Sequence, residues 1–224
     1  MSALSSTSTR LFAVLLAGLL ACLPLLSACA QDTARAPVEG EDYVVIADGR
    51  PWQPLAGKIE VVEVFGYWCH VCDDFQPLVD EWKKTLPKDV RFDYVPAAFS
   101  PGDAYARAYF AAESLAALGK THHATFRAIH DEQSLPQRNA SIDEVATYYD
   151  ALGVDAERLK TAAQSPATDA KMAAAREFAV RSGVQGTPTL VVNGVYRVQA
   201  KSLQDMLRIA DALIAKERAA SKQR

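Results

Sequence analysis

The chain has 224 residues, with 24 Lys and Arg against 27 Asp and Glu, a formal net charge of −3, and half of its residues are hydrophobic. That balance offers no basic stripe for a nucleic-acid backbone and leaves ample apolar side chains for one domain core. Four cysteines are present, and their positions decide what they can do.

Residues 1–29 carry one charge, Arg10, ahead of an uncharged apolar run at 11–26 that Pro24 interrupts. The run falls short of the roughly 20 residues of a comfortable membrane span and reads as an export signal. Leu26-Ser27-Ala28-Cys29 resembles the bacterial lipobox, whose cysteine becomes the lipidated first residue of the mature protein; Leu19-Leu20-Ala21-Cys22 is a poorer match. The alternative is cleavage after Ala28-Cys29-Ala30, an A-x-A pattern that releases a soluble chain. Either route leads to an oxidising space outside the cytoplasm, the periplasm, with or without a lipid anchor to the membrane. Without Arg10 the balance becomes 23 against 27, a net charge of −4, and Cys69 and Cys72 remain as the thiol pair.

A polar stretch at 30–42 is expected to be a flexible tether, with the domain at 43–216 and a polar tail at 217–224. Tyr43-Val44-Val45-Ile46 and Ile59–Phe65 read as strands, the second apolar on both faces and hence central and parallel. Helical periodicity covers 69–86, with Phe75, Leu78, Val79 and Trp82 on one stripe and Pro77 as an expected kink. Residues 91–95 form the next strand. From about 100 to 183 only helix signals appear. Ser100-Pro101 starts a helix to about Leu118, and another covers 121–130. Ser141-Ile142-Asp143-Glu144 is a capping box for a helix closed by Gly153. Asp155 opens the next, and Ser165-Pro166 opens one ending at Gly183. Strands at 189–192 and 195–198 flank Asn193-Gly194, the preferred pair of a type I′ hairpin turn, and a last helix follows Ser202. The order gives an α/β fold: a βαβ half and a ββα half with an all-helical insert between them.

Cys69-His70-Val71-Cys72 sits where the central strand gives way to a helix. There, unpaired backbone N–H groups and the helix dipole favour a thiolate on the first sulfur, so Cys69 is the nucleophile and Cys72 the resolving partner. A zinc ribbon would need a second cysteine or histidine pair at matching spacing, and the chain has no second CxxC. A structural disulfide across two residues would close too short a loop to constrain the unfolded chain much. Glu63, an acid among valines, is either a wet edge position or a buried carboxylate of raised pKa. Tyr67 and Trp68 are expected at the border of the active face, as substrate contacts or as packing. His122, His123 and His130 read as surface or packing histidines.

From residue 43 onward the chain resembles the thioredoxin superfamily and, within it, the DsbA-like thiol oxidoreductases. Phe65-Gly66-Tyr67-Trp68 leading into the CxxC, Pro77, and Gly186-Thr187-Pro188-Thr189 ahead of the hairpin carry the resemblance, together with the insert. The resemblance implies a thioredoxin fold in which Pro188 forms a cis bond opposite the cysteines and the Thr187 backbone receives a substrate strand. It implies that Glu63 is a buried acid that relays a proton for Cys72. It implies a periplasmic enzyme that introduces disulfides into reduced or unfolded exported proteins. That enzyme would be a monomer re-oxidised by a DsbB-like membrane quinone reductase, with no metal and no cofactor beyond the Cys69–Cys72 disulfide. The family usually carries histidine immediately before the second cysteine, where this chain has Val71. His70 instead adjoins Cys69, where an imidazolium would favour the thiolate and make the disulfide more oxidising. A reductase or isomerase running the same chemistry in reverse is the alternative within the class. The short segment at 30–40 is too small for the N-terminal dimerisation domain of dimeric isomerases. Outside the class stands a Cys/His metal- or client-binding module without turnover.

Overall fold

The structure, a computed structural model, describes residues 35–221. The expected export signal at 1–29 with Cys29, the tether residues 30–34 and the tail residues 222–224 lie outside the described residues.

Every residue of Ile59–Phe65 (β2) is buried, Glu60 and Glu63 among them, as befits a strand paired on both edges and covered on both faces. It lies between Val90–Pro96 (β3), with which it is parallel, and Thr189–Val192 (β4), with which it is antiparallel. Tyr196–Val198 (β5) and Tyr43–Val45 (β1) extend the sheet to the order β1-β5-β4-β2-β3. The central strand is thus placed as expected, in a mixed sheet. Between β4 and β5, Asn193 and Gly194 have φ of +52° and +66°, the signs a type I′ turn requires. A Cβ on Gly194 would lie 2.0 Å from the Arg50 carbonyl carbon, so no other residue fits this turn without displacing the backbone.

Successive β2 side chains alternate between the faces. Val61 joins Phe75, Val79 and Trp82 of His70–Thr85 (α1) and Leu207, Ile209 and Leu213 of Leu203–Ser221 (α7). Val62 and Val64 join the larger core shared with the insert, whose helices are Ala104–Ser114 (α2), Leu118–His130 (α3), Ile142–Ala151 (α4), Ala156–Ala163 (α5) and Pro166–Arg181 (α6). The plan is the expected α/β one: β2-α1-β3, five helices, then β4-β5-α7.

Several boundaries differ from the sequence expectation. The helix expected from Ser100 to about Leu118 is α2 alone, because Asp103, not Ser100, is the cap: its carboxylate accepts the N–H groups of Tyr105 and Ala106 at 3.0 and 3.1 Å. It ends where Ala116 turns to φ +54°. Pro77 lies inside α1, which continues through it to Thr85. The C-terminal part of the tether folds onto the domain, where buried Asp42 accepts the Val38 N–H at 2.7 Å. The expected domain end at 216 moves outward, because α7 reaches Ser221, Glu217 is buried on Asn193 and Arg218 pairs with Asp89.

Candidate active site

Strand β2 ends at Phe65, and the segment Gly66-Tyr67-Trp68 carries the chain to Cys69, the N-cap of α1. Gly66 leaves room for the Trp68 indole, whose Cε2 would lie 2.7 Å from a Cβ at that position. The Cys69 sulfur accepts the Cys72 N–H at 3.3 Å, a helix-capping role that thiolate performs better than thiol. Both cysteines are free and buried. Across from them the Thr187–Pro188 bond is cis, as expected, and the Thr187 carbonyl lies 3.2 Å from the Cys69 sulfur.

The two thiols are pushed in opposite directions. Hydrogen bonding with the Cys72 thiol lowers Cys69 to about 6, helped by Thr187 and by the Cys72 and Val71 backbone N–H groups and opposed by burial. Burial raises Cys72, with further upward pushes from the Cys69 hydrogen bond and the Glu63 charge. One thiolate on the outer sulfur and one protonated inner thiol is therefore the preferred state of the reduced pair.

Glu63 is fully buried in the middle of β2, in register with Tyr94 of β3 and Leu190 of β4. Neither carboxylate oxygen has a hydrogen-bond partner. Burial raises its pKa well above 4.5, and the negative charge on Cys69 raises it further. Of the two sequence readings, the buried acid holds and the wet edge position does not.

His70 is exposed on the first turn of α1. Trp68 is half-buried at the face around Cys69, whereas Tyr67, expected beside it, is only 1% exposed and cannot meet a substrate. The physical reason is that Tyr67 packs edge-on against Phe65 and Phe126 and its hydroxyl lies 2.9 Å from Nδ1 of His122. His130 Nε2 lies 2.8 Å from the Tyr67 carbonyl oxygen, and Gln137 Nε2 donates to the Trp68 carbonyl at 2.9 Å. Three insert side chains thus hold the segment that leads into Cys69. The packing reading of His122 and His130 holds, and with Phe126 they are spaced i, i+4, i+8 on one helix face, whereas sequence reasoning missed Gln137. His123 is turned away, 3.3 Å from Asp80. Among the described residues, no group of three or more His, Cys, Asp or Glu is placed to hold a metal ion.

The family model described as a DSBA-like thioredoxin domain matches residues 60–213. The thiol:disulfide interchange protein DsbA of Pseudomonas aeruginosa is 38% identical over 188 residues, covering 82% of this chain and 87% of the relative. Its counterpart from Pseudomonas syringae pv. tomato is 37% identical, covering 84% and 89%. The crystal structure of the oxidoreductase DsbA from Xylella fastidiosa superposes with a TM-score of 0.79 at 46% identity, over 82% of this chain and 99% of that one.

Proposed function

The chain belongs to the family of DsbA-like thioredoxin domains and is a thiol:disulfide oxidoreductase, and from that premise we propose that it works as an oxidase with Cys69 as its attacked sulfur. The supporting observation is the unequal thiol pair, Cys69 lowered to about 6 and Cys72 pushed up by burial. A sulfur stabilised as thiolate favours the reduced protein and so makes its disulfide a strong acceptor of electrons.

The cycle starts from the Cys69–Cys72 disulfide. A client thiolate attacks the Cys69 sulfur, a mixed disulfide forms, and Cys72 departs as a thiolate that takes up a proton. Glu63, whose burial favours the protonated carboxyl, supplies that proton and regains it from solvent. A second client thiolate then attacks the client sulfur of the mixed disulfide, and Cys69 leaves as the stable thiolate. The client gains one disulfide, and the protein dithiol holds the two electrons. Cis Pro188 and the Thr187 backbone border the attacked sulfur and present an edge to the client strand, and half-buried Trp68 precedes Cys69 in the chain. His70, exposed beside Cys69, adds to thiolate stabilisation in its imidazolium form.

Clients are exported proteins with reduced cysteines, and the site of action is the periplasm, reached by the signal at 1–29, with lipid on Cys29. A membrane quinone reductase of the DsbB kind takes the electrons onward. Equilibration of the purified domain with glutathione mixtures, followed by thiol trapping, gives its reduction potential. The expected value lies nearer the roughly −120 mV of strongly oxidising dithiols than the roughly −270 mV of thioredoxin. A value at the thioredoxin end would replace the oxidase reading with the reductase one.

A further inference from the structure

Beside Trp68, on the insert side of Cys69, a cleft of about 420 Å³ opens between the start of α2 and the loop at 137–140. Its walls include Trp68, Asp103, Tyr105, Gln137, Arg138 and Asn139. The cleft is stiff where it meets the active segment, because Gln137 is bonded to the Trp68 carbonyl and the Tyr105 hydroxyl to the Pro136 carbonyl. Its charge is unbalanced. Asp103 directs its carboxylate at the first N–H groups of α2, and the positive end of that helix offsets it. Arg138 is exposed and, among the described residues, has no carboxylate partner.

We propose that this cleft is a client subsite: it receives an acidic side chain lying within a few residues of the client cysteine, and Arg138 recognises it. The inference rests on the oxidase reading and adds a preference among its clients. Continuity with the reacting sulfur supports the assignment, since Trp68 is both the wall of the cleft and the residue before Cys69. A strand advances about 3.3 Å per residue with alternating side chains, so a client held at Cys69 reaches the cleft within about three residues. A guanidinium among the Gln137 and Asn139 amides and the Tyr105 ring suits a carboxylate by charge and by its forked donor geometry.

The test uses the full chain in its disulfide form and dithiol peptides that differ in carrying Glu or Lys at each of three positions on either side of one cysteine. Single-turnover oxidation is followed by thiol trapping: each peptide loses two electrons and two protons as the protein disulfide becomes a dithiol. At low ionic strength the Glu peptide should react three- to tenfold faster than the Lys peptide at one or two positions, and the ratio should shrink in salt. Arg138→Glu should invert the ratio and Arg138→Lys should keep its sign. An equal rate for both peptides at all positions, or a ratio unchanged by Arg138→Glu, overturns the subsite alone. Failure of the wild-type disulfide to oxidise any peptide removes the oxidase reading and the subsite with it.

Discussion

The reactivity of Cys69 follows from where its proton is least costly to lose. With the thiol lowered to about 6, alkylation of reduced protein should titrate with a midpoint near that pH, well below a free cysteine at about 8.5. The folded reduced state therefore gains stability as pH rises through about 6 and loses that gain as pH falls back through it, so the disulfide becomes relatively less favoured in the upper range. A midpoint near 8.5 would remove the basis of the oxidising pair. Glu63 carries the opposite sign. Its folded pKa is raised, so its burial carries no ionisation cost in acid, where folded and unfolded chains are both protonated, and only the desolvation of the neutral carboxyl remains. The cost grows as pH climbs past about 4.5, where only the unfolded chain ionises freely. Glu63→Leu should stabilise the protein by about 1–3 kcal/mol at pH 8 and by less at pH 4, measured by urea unfolding, while slowing the Cys72 step. The CxxC and Glu63 were legible because each is an unusual residue type in its local pattern, and Pro188 because Gly186-Thr187-Pro188-Thr189 resembles the family's motif. The burial of Tyr67 was not, because an aromatic beside an active cysteine has the same sequence signature whether it faces a substrate or a core.

At the scale of elements, caps decide where helices begin. Asp103→Ala removes an acceptor shared by two α2 N–H groups and should cost about 1 kcal/mol in a urea melt, with the m-value unchanged. A loss under a few tenths of a kcal/mol would show that the Ser100 turn can replace it. The predicted start at Ser100-Pro101 failed because two capping signals lie three residues apart, and only tertiary packing of Ala104 and Tyr105 selects between them. The capping box at Ser141 and the Ser165-Pro166 start had no such rival, and both stand as expected. The domain boundary expected at 216 moved outward for a related reason. A polar run looks solvated in sequence, yet Glu217 meets Asn193 and Arg218 meets Asp89, residues far away in the chain.

For the whole molecule, the division into a sheet with two flanking helices and a helical insert was readable from the order of periodicities, whereas the strand order β1-β5-β4-β2-β3 emerges only in the structure. What periodicity could not reveal was the traffic between those parts, because side-chain contacts across the chain leave no local pattern. Destination is a property of the whole chain too. In cells making the full protein, the mature form is expected in the membrane fraction, and Cys29→Ser should move it to the soluble periplasmic fraction. Unchanged partitioning would favour simple cleavage over lipidation.

The partners that His122, His130 and Gln137 provide to the active segment lie 55, 63 and 69 residues further along the chain. A chain emerging from its N-terminus therefore presents both cysteines long before it presents the residues that seat them. A chain truncated before the insert carries the motif without the side chains that seat it.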